Sequence, residues 1–166
     1  MKSLFFGGIH PADRKELSAS AQLQPVNQPK QVVIPMSQHI GNPCTPLVSV
    51  GDQVKKGQKI GDGEGLCVPV HSSVSGKVVA VESRRHPNGR EVLSVVIEND
   101  FLDVLDTTMT ANEDYSTLTD DEIIDIIREA GIVGMGGATF ATNIKAASSM
   151  EKVDTLIANA CECEPY

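Results

Sequence analysis

The chain has 166 residues, a formal net charge of −8, 40% hydrophobic residues, 4% aromatics and no Trp. That length suits one or two small domains with cores of Val, Ile, Leu and Ala. No run approaches the roughly 20 apolar residues that span a bilayer, the apolar part of Met1 to Ile9 is too short for a signal-peptide core, and nucleic-acid binding is disfavoured because the basic half is nearly free of aromatics.

The charge is unevenly divided. Residues 1–90 carry eleven Lys/Arg against six Asp/Glu, +5, and residues 91–166 carry three against sixteen, −13. The halves therefore read as different domains whose mutual attraction favours docking and is screened by salt. Cys44, Cys67, Cys161 and Cys163 do not make a disulfide framework at this size and suit a reduced, cytoplasmic setting. Cys161-x-Cys163 lacks the C-x-x-C spacing and the second pair of a metal site, so the cysteines read as structural and no metal is expected.

Residues 1–30 show no strong period and read as an extended arm. His10, beside Pro11, reads as a hydrogen-bonding or surface residue rather than a ligand. Residues 31–98 read as a compact all-β unit: Gln31 to Pro35, then Leu47 to Gly61 with its turn glycines, then Val68-Pro69-Val70, Val74 to Val81, and Val92 to Ile97. Asn88-Gly89, inside the basic loop Ser83 to Arg90, is a hairpin signal. That loop reads as a solvated turn or, through Arg84, Arg85 and Arg90, as a contact for the acidic half or for a partner subunit.

Residues 99–118 read as an acidic linker without calcium-loop spacing. Residues 119–166 read as the start of an α/β domain. Thr119-Asp120-Asp121-Glu122 is a capping box, Ile123, Ile124, Ile126 and Ile127 supply an apolar face, and Gly131 is placed to stop the helix. The run Gly131-Ile132-Val133-Gly134-Met135-Gly136-Gly137 follows, its four glycines free to reach φ > 0 and to let a ligand approach the backbone. Running into a helix, such a loop suits a phosphate, with Lys145 about two turns further on. Glycine-rich turns also occur where two elements pack closely, and a lone G-x-G is a weak signal. The helix that precedes the glycines sets this loop apart from the usual dinucleotide fingerprint. Val153 to Asn159 reads as a short buried strand, with Asn159, Glu162 and Glu164 at its carboxyl end, where ligands of open α/β sheets collect.

Gly134-Met135-Gly136-Gly137-Ala138-Thr139-Phe140-Ala141-Thr142-Asn143-Ile144-Lys145 and Asn159-Ala160-Cys161-Glu162-Cys163-Glu164-Pro165-Tyr166 resemble the flavin and NADH site of the C subunit of the Rnf electron transport complex. More distantly they resemble the NADH-binding flavoprotein subunit of respiratory complex I. The resemblance implies that Gly134, Gly136, Gly137 and Lys145 hold the phosphate of FMN. It places Asn159 and Glu162 against the flavin and Glu164 on the nicotinamide nucleotide. Ala141 stands where the family usually has proline, which removes a fixed φ from the helix start.

Gly51-Asp52-Gln53-Val54 with Gly57-Gln58, and later Ser75-Gly76-Lys77-Val78, resemble the biotinyl/lipoyl barrel-sandwich hybrid. The interval Asp62 to Pro69, where a carrier displays its modified lysine, contains no lysine, so the fold is expected without the swinging arm. The Rnf protein also begins with such a domain and with a Gly-Gly-Ile-His-Pro stretch. Ile34 to Gly41, Val70 to Gly76 and His86 to Arg90 look like its characteristic runs.

The expected architecture is thus an α+β chain: an arm (1–30), an all-β barrel-sandwich hybrid (31–98), a linker (99–118), and the start of an FMN/NADH-binding α/β domain (119–166). The chain reads as the N-terminal portion of a longer protein, the family's 4Fe-4S cysteines lying further on. What the resemblance implies is hydride exchange between NAD(H) and FMN with no catalytic acid or base. It also implies partnership with the other Rnf proteins, and a peripheral place on the cytoplasmic face of the membrane reached through them. Two alternatives stand beside it: a soluble flavoprotein of the same kind feeding another reductase, and a docking module without cofactor. On either flavoprotein reading the whole protein is part of an NAD-linked oxidoreductase and the fragment alone is inactive.

Overall fold

Seven antiparallel strands arranged as two sheets dominate the computed structural model, which describes residues 12, 15–108, 114–135, 137–149, 153–155 and 157. The chain divides into two units, Gln28–Val153 and the two ends, Met1–Asn27 with Asp154–Tyr166. Among the described residues of the ends there is one short 3-10 turn, Lys15–Leu17; residues 21–27 are exposed and carry no regular structure.

In the larger unit, β1 (Gln31–Pro35), β7 (Glu91–Asn99), β6 (Gly76–Arg85) and β3 (Gln53–Val54) form one sheet in the order β1-β7-β6-β3. The second sheet is β2 (Thr45–Pro46), β4 (Lys59–Asp62) and β5 (Val70–His71), in the order β2-β4-β5. The β6–β7 hairpin is turned by His86 to Arg90, with the Gly89 N–H donating to the His86 carbonyl at 2.9 Å. The basic loop is therefore a hairpin tip, where Arg84 pairs with Glu82 of its own strand at 2.6 Å.

The two sequence motifs of the barrel meet across the first sheet. Gly51 N–H donates to the Val78 carbonyl at 2.8 Å and Val78 N–H to the Asp52 carbonyl at 2.9 Å. Alternating side chains from both sheets then share one core, with Met36, Ile60, Val78, Val95 and Ile97 fully enclosed. Each such Val or Ile contributes about 1.5–3 kcal/mol relative to an exposed one. Where a carrier domain would display its lysine, this chain buries Cys67, Val68 and Pro69.

Residues 99–106 run back along the barrel. Lys56 N–H donates to the Val104 carbonyl, Asp106 N–H to the Lys56 carbonyl, and Lys56 pairs with Asp103 at 2.9 Å. Two helices follow, α1 (Asp120–Glu129) and α2 (Thr142–Ser149). The buried strand expected at 153–159 does not form where the chain is described: Val153, Asp154, Thr155 and Ile157 are exposed and unpaired in any sheet. A strand exists through its neighbours, and no partner strand lies beside it among the described residues. Leu156, Ala158 and Asn159 lie outside them.

Candidate functional site

The site is built on the end of α1. Thr119 caps that helix, accepting from the Glu122 N–H at 3.3 Å while the Glu122 carboxylate accepts from the Thr119 N–H at 2.7 Å. At the other end Gly131 takes φ +69°, its N–H donating to the Arg128 carbonyl, and the Ile132 N–H donates to the Ile127 carbonyl. This is the Schellman pattern, which glycine accepts without the penalty that a Cβ brings. It stops the helix against the barrel: a Cβ on Gly131 would lie 2.5 Å from the Pro69 carbonyl oxygen and 3.2 Å from His71 Nδ1.

Four charges fasten this contact. Lys59 Nζ lies 3.1 Å from Asp62 and also binds Glu129; Arg128 lies 2.8 Å from Asp62 and closes the ring by pairing with Glu129. Opposite charges thus alternate around a closed circuit between β4 and the last turn of α1. Of its two crossings, Lys59 to Glu129 runs in the sense of the attraction expected between the halves, while Arg128 to Asp62 runs the opposite way.

Burial works against the charge on Asp62, but the Gly63 N–H, Arg128 and Lys59 outweigh it and hold the carboxyl below its usual value. The hydrogen bond from Lys59 does the same for Glu129. Beside them, burial and then the charge on Lys59 push His71 down, so its imidazole is neutral. Both carboxylates have depressed folded pKa values, so their stabilisation is present above the ordinary carboxylate range near 4 and is lost as pH falls through the lowered values. Asp62→Asn is expected to cost roughly 1 kcal/mol at neutral pH, and to flatten the fall in melting temperature below about pH 4. Thermal melts of both proteins between neutral and acid pH check this; parallel curves would contradict it.

From this anchored end the glycine loop departs and returns. Val133 and Ala141 form an antiparallel bridge, the Gly134 N–H donates to the Phe140 carbonyl at 2.9 Å, and the Thr142 N–H donates to the Ile132 carbonyl at 3.2 Å. Ala141, at the position where the family usually has proline, is fully buried, and the paired backbone holds the loop's two ends together. Within the loop Thr139 takes φ +47°, a left-handed conformation that costs a non-glycine residue about 1–2 kcal/mol. Strain of this kind concentrates at ligand clamps.

Of the residues singled out in the sequence, Gly134 and Gly137 lie in this loop, and Gly137 has open space where a Cβ would stand. Lys145 is exposed on α2 with its ammonium 5.9 Å from the centre of the Phe140 ring, which puts it over the loop's return. Gly136, Asn159, Glu162 and Glu164 lie outside the described residues. A further residue was missed: Asn143 Oδ1, at the start of α2, is buried without a hydrogen-bond partner. The signal was present, since Asn143 stands between the glycines and Lys145 in the very run that carries the resemblance. Open space at Gly137 and the free N–H groups of the first turn of α2 are compatible with an anionic group, and Asn143 Oδ1, an acceptor, with a donor elsewhere on the same ligand. No helix among the described residues is long and apolar enough to cross a membrane.

Comparison with known proteins agrees with this division of the chain into barrel and loop. A family model described as the RnfC barrel sandwich hybrid domain matches residues 3–102, and one described as the Nuo51 FMN-binding domain matches residues 127–166. The C subunit of the Na(+)-translocating ferredoxin:NAD(+) oxidoreductase complex of Acetobacterium woodii is 52% identical over 167 residues, an alignment covering 98% of this chain and 37% of that protein. The C subunit of the proton-translocating ferredoxin:NAD(+) oxidoreductase complex of Clostridium ljungdahlii is 42% identical, covering 100% of this chain and 37% of that protein. The C subunit of the ion-translocating oxidoreductase complex of Pectobacterium carotovorum is 40% identical, covering 98% and 22%. The chain thus spans well under half the length of these relatives.

Proposed function

The chain belongs to the family of the RnfC barrel sandwich hybrid domain and continues into the start of an FMN-binding domain, and from that premise we propose that it is the N-terminal part of an electron-transfer protein that passes electrons between NAD(H) and FMN. The observation that carries this reading is the glycine loop itself: held at both ends by backbone pairing, strained at Thr139, open at Gly137, and flanked by Lys145.

In this reading the loop at Gly134, Gly136 and Gly137 receives the phosphate on backbone N–H groups other than that of Gly134, which the Phe140 carbonyl takes up, and Lys145 neutralises its charge. Asn143 supplies a further polar contact. Asn159 and Glu162 face the ring system, and Glu164 accepts hydrogen bonds from the nicotinamide nucleotide. Bound FMN supplies the conversion of hydride transfer into single-electron transfer; the side chains position and neutralise, and none is needed as an acid or base. We assign the chain the same four parts: arm 1–30, barrel 31–98, linker 99–118 and flavin-domain start 119–166. Iron–sulfur clusters, the other proteins of an Rnf complex and a peripheral position on the cytoplasmic membrane face belong to the same proposal. They rest on the names of the relatives and on the resemblance described above.

The test uses a version of the chain extended over the whole span of its relatives. Reconstituted with FMN and kept free of oxygen, it is expected to lose its flavin absorbance near 450 nm on addition of NADH. A flavin-loaded protein that NADH fails to bleach would contradict the electron-transfer reading. An extended protein that takes up no FMN would leave a docking module as the better account. Co-purification with integral membrane proteins separates the Rnf assignment from a soluble flavoprotein of the same family.

A further inference from the structure

Away from the glycine loop, two segments distant in sequence, the β1–β2 and β4–β5 connections, bring soft donors to one point inside the barrel wall. His39 follows β1, Cys44 precedes β2 and Cys67 precedes β5; one ligand atom from each lies within 4.8 Å of the other two. The two sulfurs are 3.3 Å apart, at residues 3% and 2% exposed. The Val68 carbonyl oxygen closes the group, 3.2 Å from Cys44 Sγ, 3.9 Å from Cys67 Sγ and 3.3 Å from His39 Nε2.

These separations are close to those of a coordination shell, the sulfurs needing to part by roughly half an ångström. Tetrahedral zinc, with bonds of about 2.0–2.3 Å, holds its donors about 3.3–3.8 Å from one another. The second layer is also in place. The Val68 N–H donates to His39 Nε2 (3.3 Å), so that nitrogen carries the lone pair that an ion would take over from the N–H, and Nδ1 donates to the Ile40 carbonyl at 3.2 Å. Metal-binding histidines are oriented by that kind of backbone contact. A groove of ≈ 300 Å³ lies beside Cys44, Met36 and Glu91, and a cleft of ≈ 120 Å³ lies beside His39 and Val68.

We propose that His39, Cys44, Cys67 and the Val68 carbonyl bind one thiophilic divalent cation of the zinc class, which ties the two connections of the barrel wall together. Two thiolates and an imidazole select zinc over magnesium or calcium. Binding displaces the two thiol protons into solvent. Without the ion Cys44 stays a thiol, burial and then the neighbouring Cys67 pushing its pKa to about 12. The same wall lines a cleft shared with Gly131 and Val133, so occupancy stiffens the surface against which the flavin-domain start is set. The site was invisible in spacing rules because Cys67 is separated from His39 and Cys44 by β2, β3 and β4 rather than by a C-x-x-C turn.

The test is a cobalt(II) titration of the reduced, chelator-treated chain, followed by zinc. Expected are an intense sulfur-to-cobalt charge-transfer band in the near ultraviolet that saturates at one equivalent, its removal by zinc, and an increase in melting temperature with zinc. Cys44→Ser/Cys67→Ser is expected to lose the band, Cys161→Ser/Cys163→Ser to keep it, and His39→Gln to weaken cobalt binding at least about tenfold. No band with the native chain overturns the proposal, as does a band that follows Cys161 and Cys163 instead. Should Cys44→Ser/Cys67→Ser fail to fold by circular dichroism, thiol labelling of the native chain in mild urea decides. Zinc is expected to slow labelling at Cys44 and Cys67, and equal rates with and without zinc would sink the idea.

Discussion

Gly76→Ala is expected to remove most of the barrel's stability, costing about 4 kcal/mol or more. Gly76 opens β6 at φ +151°, and a Cβ there would sit 1.9 Å from the Glu98 carbonyl oxygen of the paired strand and 3.2 Å from Asn99 Cα. Both obstacles are backbone, so no side-chain rotation relieves them. Relief has to come from opening the β6–β7 pairing at its crossing with β3, where Gly76 also pairs with Val54. Neighbouring contacts go with it, because Ser75 Oγ donates to Asp100 at 2.7 Å and accepts from the Val104 N–H at 3.0 Å. A fall in melting temperature of roughly 10 °C or more is expected. Gly57→Ala is the control: Gly57 also has a left-handed φ, +87°, but nothing within 4 Å of its would-be Cβ, so only a backbone penalty of about 1–2 kcal/mol applies. Equal melting temperatures for the two variants would show that the clash is absent in solution.

Lys145→Ala in the extended protein is expected to weaken FMN binding by about tenfold to a hundredfold while leaving riboflavin unaffected. A hydrogen bond to a charged partner contributes about 1.5–3 kcal/mol, and the ammonium of Lys145 lies over the return of the loop beside Phe140. Truncation removes the charge and keeps the helix, since alanine is the best helix former. A loss that is equal for FMN and riboflavin would assign Lys145 to the folding of α2, and no loss for either would remove it from the site. Melting temperature within a few degrees of the parent separates the binding effect from unfolding.

What could be read from the sequence was local. The capping box at Thr119 and Glu122, the stop at Gly131, and the hairpin at Asn88-Gly89 each involve residues within a few positions of one another, and each appears in the structure as the sequence implied. The barrel was legible because turn glycines at short spacing, with Val- and Ile-rich runs between them, leave an antiparallel β unit as the economical solution. Val153 to Ile157 has the composition of a buried strand but is exposed where it is described, because composition does not supply neighbours. The ring of Lys59, Asp62, Arg128 and Glu129 does not follow from the expected attraction between halves, since each half gives it one cation and one anion; its crossings join residues 66 and 70 positions apart where barrel meets helix. His39, Cys44 and Cys67 show the same limit more sharply. Their convergence depends on how two loops, 36–44 and 63–69, enter the second sheet, and nothing in the spacing of the letters encodes it.

The central claim is that the loop from Gly134 to Phe140 grips a phosphate, and the most direct measurement is the ratio of FMN to riboflavin affinity in the extended protein, by titration calorimetry at fixed ionic strength. The two ligands share the flavin ring and differ only in the phosphate. Loop amides and the Lys145 ammonium together are expected to favour FMN by about a hundredfold or more, equivalent to roughly 2.7 kcal/mol. Equal affinities would contradict the account, because a flavin held without its phosphate leaves this glycine loop no part in binding.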